Sequence, residues 1–292
     1  MNEKKNFIIQ TTHQLYIEKG YLETSIQDIL NASNISKATF YKYFTSKGSL
    51  TLELLRKLQD KMNATLNFMI LNEAAGNEEQ IIRKTLCFIK EFENEHALRP
   101  IIAEAIVERE PELISFINQR RQKSIYWLFE RMESAFGNRY PNAILDATLY
   151  LQALVKELMK VNYSSGQNVS IELIVNRCFD WMLMSFDDMN QNPIFDSKSI
   201  IEQSNIIFTS MEQFMHETLQ LNDWLKDEAT CTENKGLFVE YLKFLIMNRD
   251  QLSEYRGMVQ QIAESLENEL LDKYPRIQNY LQILKSISNR DG

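Results

Sequence analysis

An all-α fold is predicted from this sequence by three observations. Turn-forming residues are scarce, 8 Gly and 5 Pro in 292 residues, a composition that suits helices joined by short loops and disfavours a sheet-rich sandwich. Apolar residues recur at three- and four-residue intervals rather than alternating. Capping residues stand where those runs begin. The length exceeds one ordinary core, and the pattern divides into residues 1–60, 61–190 and 191–292.

A first helix is expected from Glu3 to Lys19, with Phe7, Ile8, Leu15 and Tyr16 as its buried stripe and Gly20 ending it. Thr24 and Gln27 read as a capping box for a short second helix, with Ile26, Ile29 and Leu30 inward. Asn34 suits the left-handed conformation of a tight turn, and Ser36 caps a third helix of barely two turns that ends near Tyr43. Ser46 then caps a long fourth helix running to about Ile70. Beyond Gly76, Ile82, Leu86 and Ile89 stripe a fifth helix, and a short sixth covers about 101–107 after Pro100. Pro111 opens a long seventh, striped by Ile114, Ile117, Ile125, Leu128, Met132 and Phe136. Pro141 is placed at the start of the eighth, which reaches about Tyr163, and a ninth spans about 171–189. After a boundary at 190–193, a capping box at Ser199 and Glu202 opens a further helix, and more follow around 237–247, 251–272 and 276–288. "ESAFGNRYP", ending at Pro141, and "ENELLDKYP", ending at Pro275, form a faint internal echo.

Charge is unevenly spread. The formal net charge is −8 and the pI about 5.2, yet residues 1–60 hold eight Lys/Arg against six Asp/Glu. An acidic body repels nucleic acid, whereas a locally basic head can bind it. Cys87, Cys178 and Cys231 are odd in number, far apart and fit no metal or redox spacing, which suits reduced core residues. The start lacks the apolar stretch of a secretory signal, and no run approaches the ~18 apolar residues of a membrane span. A soluble, cytoplasmic protein is therefore expected.

The stretch "ISKATFYKYFTSKGSL", residues 35–50, holds three lysines and no acid. Two short helices joined by a tight turn, the second capped and basic, describe a helix-turn-helix over residues 25–44. In that motif the second helix enters the major groove, while flanking amides and lysines hold phosphates. Phe40 and Phe44, four apart, can face the head core, which turns Lys37, Thr39, Tyr41 and Lys42 outward. The Thr39 hydroxyl and methyl suit a base edge and a thymine methyl, and Tyr43 can reach a phosphate. Lys47 lies in the first turn of the fourth helix, where its charge and the backbone amides make an anion site.

The segment "TSIQDILNASNISKATFYKYFTSKGSL" resembles the DNA-binding signature of the TetR/AcrR transcriptional regulators. Thr24, Ile29, Ile35, Ser36, Phe40, Tyr41, Tyr43, Phe44, Ser46, Lys47 and Leu50 stand at the signature positions. It departs from the family's usual residues at Leu30 and Ser33 (Ala), Asn34 (Gly) and Ala38 (Gly). The resemblance covers residues 3–60, with a weaker helical match to about Met189. It implies a homodimeric regulator whose two heads occupy successive major grooves of a pseudo-palindromic double-stranded operator, most simply a repressor released by a small effector. By motif position, Lys37, Ala38, Thr39, Tyr41 and Lys42 would face bases and backbone, and Thr24, Ser25, Tyr43 and Lys47 would hold phosphates.

The predicted eighth and ninth helices are apolar nearly all round and must be covered on both sides. A second subunit is the expected cover, as the family places its dimer bundle there. Phe88, Phe92, Phe116, Trp127, Met159 and Tyr163 supply the ingredients of a cavity for an apolar or amphipathic effector. Residues 193–292 exceed what most members of that family carry. With ten basic and sixteen acidic residues they do not form a second DNA-binding surface, and their aromatics imply a packed additional bundle. Two other readings are weighed: a DNA-binding regulator acting through a protein partner, and an all-helical enzyme. Against the enzyme, "HETLQ" at His216 lacks the second histidine of a zinc-protease helix, and "DDMNQ" at Asp187 lacks a third acid. No metal or cofactor is implied.

Overall fold

The structure, a computed structural model, describes residues 3–72, 78–195, 210–226 and 234–288. Among them no strand occurs, and the helices are α1 (Glu3–Lys19), α2 (Ile26–Ser33), α3 (Lys37–Tyr43), α4 (Lys47–Asn72), α5 (Glu78–Glu95), α6 (Leu98–Val107), α7 (Pro111–Phe136), α8 (Ile144–Ser165), α9 (Ile171–Gln191), α10 (Ser210–Lys226), α11 (Lys235–Met247), α12 (Arg256–Leu270) and α13 (Ile277–Ser288). The chain divides into two compact units, one of residues 1–62 with 82–206, the other of residues 63–81 with 207–292. The expected Ser199–Glu202 capping box and Cys231 lie outside the described residues.

In the first unit the head is built from α1, α2, α3 and the start of α4. Along α1 the buried stripe is Ile8, Ile9, Thr12 and Tyr16, whereas Phe7, expected inside, is 52% exposed. Ile9 takes the place expected for Phe7 because the stripe follows the packing of α2 and α4, which local periodicity does not contain. The Tyr16 hydroxyl meets Thr51 at 2.8 Å and locks α1 to α4. His13 Nε2 donates to the His96 carbonyl at 3.0 Å, and Lys61 lies 3.3 Å from His96 Nε2. Burial, then the Lys61 charge, pushes His96 below its usual pKa, so its neutral ring accepts from Lys61 and joins α1, α4 and the α5–α6 turn.

The remainder of this unit is a bundle in which α8 and α9 make the most extensive pair and α7 packs on α8. Leu151, Val155, Val175, Phe179 and Met182 are buried at its centre, and each fully buried large side chain contributes roughly 1.5–3 kcal/mol. From α5, Arg83 donates to the Asn176 carbonyl at 3.1 Å and to Asp180 at 2.8 Å, with its guanidinium 4.2 Å from the Phe179 ring. The α8 start differs from expectation: residues 141–143 form a turn and the helix begins at Ile144. Tyr140 N bonds back to the Phe136 carbonyl at 2.8 Å, which spends the corner on closing α7 before α8 opens. Cys178 is buried and Cys87 half-buried, both free.

In the second unit α10 packs on α11 and α13, and α12 pairs with α13. Lys226 donates to the Ile70 and Leu71 carbonyls at 3.3 and 3.0 Å, placing a cation at the negative end of α4. Phe214, Phe238, Leu266, Tyr280 and Leu284 are fully buried, so this region is a packed bundle. The helix expected from 251 starts only at Arg256, because a 3-10 helix, Arg249–Gln251, and a hydrogen-bonded turn precede it. The echoed corners share one hydrogen-bond pattern. Gly137, Arg139, Tyr140 and Ala143 bond to Glu133, Phe136, Phe136 and Tyr140, while Leu271, Lys273, Tyr274 and Ile277 bond to Glu267, Leu270, Leu270 and Tyr274.

Candidate nucleic-acid interface

The helix-turn-helix is assembled by local capping. Ser25, not Thr24, is the N-cap of α2: its hydroxyl accepts from Asp28 N at 3.1 Å, and Asp28 Oδ2 accepts from Ser25 N at 2.9 Å. The Ser25 hydroxyl, its amide and Lys19, in that order, lower the Asp28 pKa to about 2. The box is therefore charged above the ordinary aspartate pKa and fades only as pH falls toward 2. Thr24 is fully buried and donates to the Gly20 carbonyl at 2.7 Å. It ties the end of α1 to the start of α2, and its expected phosphate contact is corrected because the hydroxyl has no exposed surface.

At the turn, Asn34 adopts φ 49 and ψ 52, and its neighbour Ile35 bonds back to the Leu30 carbonyl at 3.1 Å. Asparagine tolerates this left-handed geometry. Ser36 caps α3 by accepting from Thr39 N at 3.1 Å. Phe40 and Phe44 are buried, with ring centroids 5.6 Å apart, which anchors α3 by one face. Lys37, Ala38, Tyr41 and Lys42 are exposed on the opposite side, and Thr39 is half-buried with its hydroxyl 2.9 Å from that of Ser36. Tyr43 is half-buried at the helix end. Ser46 and Ser49 cap α4 reciprocally, each amide donating to the other's hydroxyl, at 2.9 and 3.0 Å.

Lys47 sits where expected, at the first position of α4, but its charge already has an anion. Its ammonium lies 2.8 Å from Glu108 and 4.0 Å from the Tyr21 ring centroid, and the side chain is only 13% exposed. The Tyr21 hydroxyl donates to the other Glu108 oxygen at 2.5 Å. Burial alone would raise the Glu108 pKa, but hydrogen bonds from Lys47 and Tyr21 and the Lys47 charge hold it below the ordinary carboxylate value. Nothing in the sequence signals this contact, since 61 positions separate Lys47 from Glu108.

A narrow cleft, partly open to solvent, lies between α4, α6 and α7, lined by Leu55, Gln59, Met62, Leu98, Ile102, Phe116, Ile117 and Arg120. Its enclosed interior has room for about one water molecule. Gln59 Oε1 is buried without a partner, and Arg120 donates to Glu93 at 3.0 Å. Of the residues expected to line a cavity, only Phe116 is on this cleft. Phe92 is buried with its ring centroid 4.1 Å from that of His96, and the Phe88 ring lies tilted against it at 5.9 Å. Met159 is buried in the main core and Trp127 packs against it. Tyr163 is 41% exposed beneath the Arg99 guanidinium. Size and polarity made these residues candidates; the bundle spends most of them on packing.

Among the described residues no helix is long and apolar enough to cross a membrane. Residues 8–54 match the family model described as bacterial regulatory proteins, tetR family. The chain is 23% identical over 281 residues to the uncharacterized HTH-type transcriptional regulator YerO of Bacillus subtilis, covering 92% of this chain and 93% of that protein. It is 23% identical over 214 residues to YuxN of the same organism, also an uncharacterized HTH-type transcriptional regulator, covering 71% of each. It is 34% identical over 73 residues to IcaR of Staphylococcus aureus, the biofilm operon icaADBC negative transcriptional regulator, covering 25% of this chain and 38% of that protein. The similarity to YerO runs through the C-terminal bundle, while that to IcaR is confined to a short segment. With a capped helix-turn-helix inside the matched residues and likeness to such a regulator over most of its length, the chain is a DNA-binding transcriptional regulator with a TetR-type head.

Proposed function

We propose that the protein is a homodimeric repressor whose α3 helices read a pseudo-palindromic operator and which a small apolar or amphipathic compound releases. The exposed, acid-free face of α3 carries this reading. Lys37, Ala38, Thr39, Tyr41 and Lys42 are assigned to bases and backbone, and Ser25, Tyr43 and Lys47 to phosphates. The likeness to a negative regulator, IcaR, supports the sign of the output.

The dimer is assigned to α8 and α9. Leu173, Trp181 and Met184 make an exposed stripe on α9, with Met184 81% exposed, and Tyr150 and Val161 are exposed on α8. Bare apolar surface of this kind marks an interface. Trp181→Glu is expected to turn a dimer into a monomer by light scattering and to weaken operator binding. A wild-type monomer at micromolar concentration would remove the assignment.

The effector is assigned to the cleft, which must widen to admit it. A compound larger than one water must push α6 and α7 from α4, the helix that continues out of the head. A compound can shift DNA occupancy only through its preference between the two states. In a panel of apolar and amphipathic compounds, those that raise the melting temperature should also release duplex DNA, with about 2.7 kcal/mol of stabilisation at a hundredfold excess over Kd. Compounds that stabilise the protein while leaving DNA binding unchanged would count against the coupling.

A further inference from the structure

Three glutamates at the end of α6 and in the α6–α7 turn grip two segments of the head, the α1–α2 connection and the start of α4. Glu104 accepts from Leu22 N at 2.9 Å. Glu108 holds Lys47 at 2.8 Å and Tyr21 at 2.5 Å. Glu110 accepts from the Ser46 hydroxyl at 3.1 Å and lies so close over Gly48 that a Cβ there would collide with its carboxylate. The last two carboxylates therefore sit at the N-terminus of α4 and on its first lysine. A helix N-terminus beside an ammonium group is the arrangement that binds phosphate oxygens.

We propose that the 104–110 turn is an autoinhibitory clasp, in which Glu108 and Glu110 occupy the anion site at the start of α4 as internal stand-ins for a DNA phosphate. The head must release them before Lys47 can hold the backbone. This rests on the assignment of Lys47 to phosphate in the functional reading above. The clasp also gives the cleft a mechanical outlet. Leu98 and Ile102 on one wall belong to the helix carrying Glu104, and Phe116 and Arg120 on the other belong to the helix that starts one residue after Glu110. A compound that shifts either helix changes how firmly the turn grips Lys47.

The alternative is an ordinary structural bridge that orients the head, and the two separate by sign. The test uses Glu108→Gln and the double variant with Glu110→Gln, measured by fluorescence anisotropy on a mixed-sequence DNA duplex over a salt series. Glutamine keeps an acceptor for Tyr21 and removes only the charge. A competing clasp predicts tighter binding and a slope of log K against log salt steeper by about 0.9, the increment for one phosphate contact. Adding Lys47→Ala to the double variant should take that increment away, whereas Lys47→Ala alone should change the wild-type slope by less. Weaker binding by the glutamine variants with circular dichroism unchanged, or an unaltered slope, would overturn the clasp. If a glutamine variant fails to fold, Lys47→Ala in the wild type decides, since a full loss of about 0.9 in slope there means the lysine was already on phosphate. Absence of salt-sensitive duplex binding by the wild type would instead overturn the underlying DNA reading.

Discussion

Replacing both Lys37 and Lys42 by glutamate is expected to abolish duplex binding at physiological salt while leaving the fold unchanged. Both side chains are exposed on α3, so their substitution should alter stability by no more than about 0.5 kcal/mol. Facing a phosphate backbone, two reversed charges place like against like, at a cost of several kcal/mol. Each 1.4 kcal/mol is tenfold in Kd, so the loss should reach about two orders of magnitude or more. Anisotropy titrations alongside thermal melts would check this. Near-native affinity in the double variant would place the DNA elsewhere on the molecule.

Phe40→Ala should destabilise the head by about 3–5 kcal/mol, the usual range for deleting a buried phenylalanine. The ring is fully buried, lies 5.6 Å from Phe44 and is met edge-on by Tyr41 at 5.4 Å. In a helix of only seven residues, Lys37–Tyr43, helical propensity alone cannot hold the shape. Duplex binding should then be lost although every outward residue of α3 is retained, and hydrogen exchange should rise in α1–α3 before it rises in α8 and α9. Phe40→Leu should recover most of the loss. Native-like exchange in Phe40→Ala would mean that α3 is anchored by something other than its aromatics.

The two variants separate two jobs of one short helix. The glutamate pair attacks the outward face and spares the anchor, while Phe40→Ala does the reverse. Both jobs are written within seven residues because helical geometry turns positions four apart to the same side.

Most of this head was legible without coordinates because its determinants are local. Gly20, Asn34, Ser36 and Ser46 each act within five residues along the chain, through caps and turns whose partners are their near neighbours. The choice between Thr24 and Ser25 as cap failed for a related reason. Both can accept from a helix amide, and only the burial of Thr24 against the end of α1 decided between them. Pro141 suited a first helical turn equally well, until the closure of α7 at Tyr140 took up that corner.

The sequence by itself determined an all-helical chain with a basic, capped helix-turn-helix at its start, because periodicity, caps and local charge are short-range properties. Only the tertiary structure decided that Ile9 and not Phe7 turns inward, that Phe116 and not Met159 borders the cleft, and that the Lys47 ammonium meets Glu108. Those outcomes depend on which distant surfaces touch, and residues tens of positions apart leave no periodic trace of their meeting.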